Sequence, residues 1–239
     1  MTIKEAELFI SVTVVLLTYF ICAPLVGYAR ARTALEMGDD TPEKLGFLTF
    51  NPFEHASRVW IVLIVALQIF FNYMPFGLGR YIPINPLNIQ GKDRGFKLAA
   101  AYFSETVAAL GISIISFFLI LAMHGPKSLD LLQHIVSLRS LSLVGAETTT
   151  LSIIVTRLLY TSFLMASLMA AFSLITNIFH FLYFYTFNDL LSDSEYGEMI
   201  MLFGPLLMLY ILIYVVRDSI ARFVVGVAFL LAYMVGIVQ

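Results

Sequence analysis

Four histidines, one cysteine and a few deep charges are the residues of this 239-residue chain that could carry chemistry. The histidines are His55, His124, His134 and His180. No two of them stand four residues apart, so no helix presents a histidine pair to one metal ion. His55 lies in a polar stretch, where it offers either a metal or substrate contact or a loop-fixing hydrogen bond; the second is the expectation. His180 lies in the apolar run Phe179-His180-Phe181-Leu182-Tyr183-Phe184-Tyr185. There it could ligate haem or a pigment, but no second deep histidine completes such a pair. A neutral ring bonded to a neighbouring helix is expected instead. Glu105 and Arg157 each sit about two turns inside an apolar stretch. Ionisable groups at that depth are costly and find partners, as an ion path or as a structural pair. A head group snorkelling to the interface is the other bland outcome. The single cysteine, Cys22, cannot form an internal disulfide.

The elements that must position these residues follow from composition. The chain is 60% hydrophobic and 13% charged, against about 45–50% and about 25% in soluble domains. Its mean hydropathy is +0.90. Too little polar surface remains to cover a water-soluble globule, which excludes an ordinary soluble enzyme, a disordered chain and a secreted disulfide scaffold. The net charge of −2 gives no basic excess for nucleic acid. The reading is an all-α integral membrane protein, one membrane domain over 1–239.

A spanning helix needs about 20 mostly apolar residues. Residues 8–28, 98–123, 151–187, 199–216 and 220–238 meet this, giving five spans. A sixth stretch, 59–71, is shorter and runs into Asn72, Pro75, Gly77 and Gly79; it suits a re-entrant segment, with a full span stretched to Phe76 as the alternative. Re-entry would put Arg30, Arg32, Lys44, Arg58, Arg80, Lys92, Arg94 and Lys97 on one face, which the positive-inside rule makes cytoplasmic. The polar parts are a loop over 38–57 with a strand expected at 47–50, and an extended, turn-forming loop over 76–97. An amphipathic piece falls within 125–150. Gly226, Ala228, Ala232 and Gly236 are spaced for close helix approach.

The two loops carry a pattern. Gly38-Asp39-Asp40-Thr41, Leu45-Gly46 and Leu48-Thr49-Phe50-Asn51-Pro52-Phe53-Glu54-His55 stand in order, followed by Gly77-Leu78-Gly79-Arg80-Tyr81-Ile82-Pro83-Ile84-Asn85-Pro86-Leu87-Asn88-Ile89 and Arg94-Gly95. This order resembles the site-2 proteases, intramembrane zinc metalloproteases, over about 60 residues. The matching loop positions include Gly38, Asp39, Thr41, Asn51, Pro52, His55, Pro83, Asn85 and Pro86. The resemblance implies residues 1–125 as a site-2-protease-like part and 126–239 as C-terminal helices.

It also implies a zinc-binding HExxH on the first helix, just before Gly38. Those positions fall on Val26, Gly27 and Arg30. Valine and glycine have no donor atom, and arginine is cationic without a lone pair. Residues 1–54 contain no histidine, so no change of register restores the motif. The family's third ligand aligns with Tyr196, or with Asp189 or Asp193 in another alignment. A further motif maps to Tyr102-Phe103-Ser104-Glu105-Thr106-Val107 without its glycine and proline. Arg30, Phe103 and Glu105 are expected to fill the former metal cavity, Glu105 neutralising Arg30.

The expected function is therefore non-catalytic. The chain reads as a pseudoprotease, not an enzyme, with no metal and no cofactor. It would act as a binding or scaffolding subunit among membrane protein partners in a bacterial inner membrane. One alternative is an active intramembrane metalloprotease with a rearranged site using His55 with Asp189 or Asp193. Another is a transporter or channel using Glu105 and Arg157.

Overall fold

The computed structural model describes residues 3–71, 77–125, 128 and 150–186. The expected spans over 199–216 and 220–238, the amphipathic stretch over 129–149, the small-residue motif at Gly226 to Gly236, and Asp189, Asp193 and Tyr196 lie outside the described residues.

Among the described residues six helices follow in order: α1 Ile3–Met37, α2 Thr41–Lys44, α3 Pro52–His55, α4 Arg58–Phe71, α5 Arg94–His124 and α6 Thr150–Thr186. Among the described residues, three stretches are long and apolar enough to cross a membrane: Glu5–Glu36, Arg94–His124 and Ile154–Leu182. Their outward faces carry large exposed apolar side chains. On α1 these include Leu17, Ile21 and Leu25, and on α5 Val107, Leu110, Ile114, Ile115 and Phe118. Contiguous apolar surface on this scale suits lipid and not water.

The core forms where α1, α4, α5 and α6 meet. Val15, Tyr19, Cys22, Ala23 and Val26 of α1 pack with Ile64 of α4, Ala109 of α5 and Met165, Met169 and Ala170 of α6. Small side chains let the helix backbones approach, and polar ones join them. Thr106 of α5 shares a hydrogen bond with Ser173 of α6 at 2.8 Å, and Ser113 with Ser167 at 2.6 Å.

α4 does not cross. Its 14 residues span about 21 Å, short of the ~30 Å hydrocarbon layer. Ala56 and Gly79 form an antiparallel bridge, and the Arg80 N–H donates to the His55 carbonyl at 2.6 Å. The chain thus leaves and returns to one place between residues 57 and 78. Tyr19, fully buried on α1, fastens both ends. Its hydroxyl donates to the Leu78 carbonyl at 2.8 Å and accepts from the Ser57 N–H at 2.9 Å.

No strand occurs among the described residues. Residues 47–50 are irregular, which corrects the expected strand there. Phe47 is instead a core residue, packed with Ala31 and Ile82, so its burial comes from tertiary packing and not from a ladder. The loop over 38–57 also contains the one-turn helices α2 and α3, each opened by a proline in its first turn.

Candidate functional site

Asp39 joins the two loop motifs. α1 ends at Gly38, whose φ of +108° suits a residue without a side chain. Asp39 follows, fully buried. One carboxylate oxygen accepts from the Thr41 N–H at 3.1 Å, the Thr41 hydroxyl at 2.6 Å and the Asn88 amide at 2.9 Å. The other accepts from the Asn85 N–H at 2.7 Å. Four donors satisfy a carboxylate that burial would otherwise penalise. Asn51 caps α3 by accepting from the Phe53 N–H at 3.2 Å, with Pro52 behind it. Pro86 is buried beside this node and Pro83 half-buried; the Pro86 carbonyl accepts from the Arg94 guanidinium at 3.3 Å.

The α1 triplet sits deeper. Val26 is a core residue at 2% exposure, packed among α1, α4, α5 and α6. Gly27 faces His55. A Cβ built on Gly27 would lie 2.2 Å from the His55 Nδ1, so the imidazole occupies the volume that a side chain at position 27 would need. His55 is itself buried, and its Nε2–H donates to the Thr49 carbonyl at 2.7 Å. That bond assigns the free lone pair to Nδ1, which has no partner among the described residues. Burial pushes the His55 pKa down, against smaller opposing effects of the Thr49 bond and Glu54.

Arg30, at 3% exposure, joins all three long helices. Its Nη1 makes an ion pair with Glu105 of α5 and donates to Asn177 Oδ1 of α6 at 3.1 Å. Asn177 donates in turn to Thr106 at 3.3 Å. The guanidinium lies 5.5 Å from the Tyr81 ring centre and 5.8 Å from that of Tyr102. Arg30 is buried while Glu105 keeps 26% exposure, so removing Glu105 strands a buried guanidinium, which is the costlier side of the pair. Phe103 points elsewhere. It packs with Phe181 beside the cluster of Ala34, Ile84, Ile89, Leu98, Ala101 and Tyr102, so Arg30 and Glu105 meet without it. His180 is buried against the Tyr102 ring, nearly parallel at 6.3 Å. Arg157 is half-buried and away from this group; its Nε has no partner among the described residues.

These residues do not fit a zinc ion. Zinc needs three or four N, O or S donors at about 2.0–2.3 Å. Val26, Gly27 and Arg30 offer none. His55 uses one nitrogen on Thr49 and presses the other on Gly27, leaving no space for an ion. No group of three or more His, Cys, Asp or Glu able to hold a metal occurs among the described residues.

Tyr19 was missed by sequence reasoning. The available signal was a tyrosine in mid-helix within an apolar span, where its hydroxyl needs a partner. Its pairing with Ser57 and Leu78 joins residues 38 and 59 positions away, and nothing local announces that.

Part of the chain is similar to a protein of Bacillus subtilis (strain 168) named "Putative zinc metalloprotease YwhC". The two are 33% identical over 119 residues, 46% of this chain and 48% of that protein. The match therefore spans about half the length of the relative. No family model matches the chain, and no solved structure matches it. The likeness agrees with the resemblance read from the loops and with a membrane protein. It also corrects one expectation. The reading that the chain is not an enzyme is overturned by this relative, whose name speaks for protease activity. The physical reason is one of scope: three substituted positions on α1 bear on a metal at that helix and not on hydrolysis by groups drawn from elsewhere in the chain.

Proposed function

We propose that the chain is a membrane-embedded, site-2-protease-like protein of a bacterial inner membrane that binds an apolar segment of a partner membrane protein within a larger complex. The observation that carries this reading is the outward apolar face of α4, a helix whose flanking residues Ala56 and Gly79 form a bridge. α4 rests on α1 and presents Val59, Val62, Leu63, Ile69 and Phe70 outward, each 40–76% exposed. α1 carries an outward apolar stripe of its own. A partner's transmembrane helix fits such a surface through packing, without a need for charge. Binding of this kind needs no cofactor.

The second reading is peptide-bond hydrolysis within the membrane, favoured by the named relative. Its metal donors would come from outside the described residues, with Asp189 and Asp193 the carboxylates in reach of the aligned third-ligand region. Use of Glu105 as part of an ion path has less support, since that carboxylate is held by Arg30.

One assay separates the readings. The full chain, purified and placed in nanodiscs, is mixed with a labelled 20-residue apolar transmembrane peptide. Saturable energy transfer, unaffected by a chelator and weakened by Val62→Asn with Phe70→Asn, supports binding. Cleaved peptide that disappears with the chelator, together with stoichiometric zinc, supports hydrolysis. Absence of any association overturns the binding proposal.

A further inference from the structure

α4 carries one charged residue, Arg58, and it stands on the outward face. Two hydrogen bonds fix how the helix lies on α1. At its start the Ser57 N–H donates to the Tyr19 hydroxyl at 2.9 Å, and towards its end the Ser11 hydroxyl donates to Gln68 Oε1 at 3.1 Å. α4 therefore runs antiparallel to α1, with Ile64 and Gln68 buried. The helical period then sets the opposite side. Arg58, Val62 and Ile69 form one row, and Val59, Leu63 and Phe70 the next; all six are exposed. The guanidinium thus heads the very surface on which the partner segment docks.

The same contacts place Arg58 deep. Tyr19 lies 11 residues after Leu8 and nine before Tyr28, so about 13–17 Å of helix separates it from either end of that apolar stretch. An arginine side chain, six bonds from Cα to its terminal nitrogens, reaches about 7 Å. Snorkelling to a membrane surface is out of range. A charge at such depth needs water or a counter-ion. Glu54, the acid nearest in sequence, pairs with Arg80 at 3.8 Å, and Arg58 makes no ion pair among the described residues. Arg58 and Arg80 against Glu54 leave one positive charge. While the face is uncovered, water entering along the irregular loops solvates that charge. A docked helix shuts the water out.

We propose that Arg58 selects the occupant of this face: a partner transmembrane helix with an Asp or Glu near its midpoint, whose carboxylate pairs with the guanidinium. Apolar packing suffices for association, and the ion pair adds the choice of partner. One carboxylate brings the local charge to zero. Arginine stays cationic throughout, so no proton has to move. Its N–H fork takes both carboxylate oxygens at once. An anionic lipid is a poor match, because its headgroup stays at the bilayer surface, about 15 Å away. A second copy of this chain offers no free acid in mid-helix among the described residues, since Glu105 is held by Arg30. The inference rests on the binding proposed above and adds the chemistry that the partner segment must carry.

The test uses the same nanodisc assay with peptides that carry Asp, Asn or Leu at the midpoint, and a fourth with the Asp moved near one end. The expected result is midpoint Asp binding tighter than Asn by about tenfold or more, with no such gain for the displaced Asp. Arg58→Met abolishes the preference. Arg58→Lys, which keeps the charge without the fork, retains part of it. Equal affinity of the midpoint Asp and Asn peptides for the unmodified chain overturns the inference, as does a preference untouched by Arg58→Met. Should that variant not fold, a displaced Asp that binds as well as the midpoint Asp overturns it with the chain unmodified. If the Leu peptide binds and Asp shows no advantage, this inference alone fails. If none of the peptides binds, the underlying binding proposal fails with it.

Discussion

Gly27 and His55 form a steric pair, and each limits what the other position can be. With 2.2 Å between a Cβ at 27 and the imidazole, Gly27→Ala must push the ring from its bond to Thr49. The expected loss is about 1–3 kcal/mol, as for other overpacked cores. Thermal unfolding in detergent checks it, and His55→Ser in the same chain should restore part of the loss; full additivity of the two changes would show that they do not touch. The imidazole also sets a pH dependence. Folding holds His55 neutral, so its folded pKa lies below the ordinary value. Between the folded and unfolded values the unfolded chain binds more protons, and stability rises with pH. The contribution is complete above about 6.5 and is lost as pH falls through the folded pKa. Melting curves of the wild type and His55→Gln between about pH 8 and about pH 5 should converge at the acid end. Parallel curves across that range would refute the assignment.

At the level of elements, one hydroxyl ties the two ends of the α4 segment together, beside the apolar packing of Ala56, Ile64 and Leu78. Tyr19→Phe leaves the Ser57 N–H and the Leu78 carbonyl without their partner at the hairpin base, at a cost of about 1–3 kcal/mol. Nothing in the three-helix contact of α1, α5 and α6 depends on that hydroxyl. Faster amide exchange confined to 57–78 is therefore the expected outcome, with Arg30 and its neighbours unchanged. Uniform acceleration across α5 and α6 would show instead that the hairpin is part of one cooperative unit. The glycine at 77 packs close to this fastening: a Cβ there would stand 2.7 Å from the Ile64 Cδ1 and 3.0 Å from the Tyr19 ring, so a larger residue requires the end of the Ile64 side chain to shift.

For the whole molecule, the return of the chain at Gly79 decides the sidedness of its polar loops. Re-entry of α4, as expected from the sequence, puts the basic residues from Arg32 to Lys97 on one side. Single cysteines placed at Lys44, Arg58, Arg80 and Lys97, in a background with Cys22→Ser, should all react with an impermeant thiol reagent from that same side. Labelling of Arg58→Cys and Arg80→Cys from opposite sides would mean that the segment spans after all. The positive-inside rule further expects that side to be cytoplasmic.

Hydropathy alone determined that this is a membrane protein and placed its three described long helices, because apolar length is a local property of the chain. α1 and α5 run beyond the apolar stretches, over Ile3–Met37 and Arg94–His124, since helix ends continue into polar sequence where a cap finally stops them. The loop motifs were legible in order and identity. Their reason was not: Asp39 binds Asn85 and Asn88 across 46 and 49 positions. The absence of metal donors at Val26, Gly27 and Arg30 could be read from residue types, whereas the filling of that space by His55 could not. Residue type states which bonds a side chain can make, and only the folded chain decides which partners come within reach. The strand expected at 47–50 shows the same limit, since an apolar residue between turns reads alike whether a ladder or a packed core buries it.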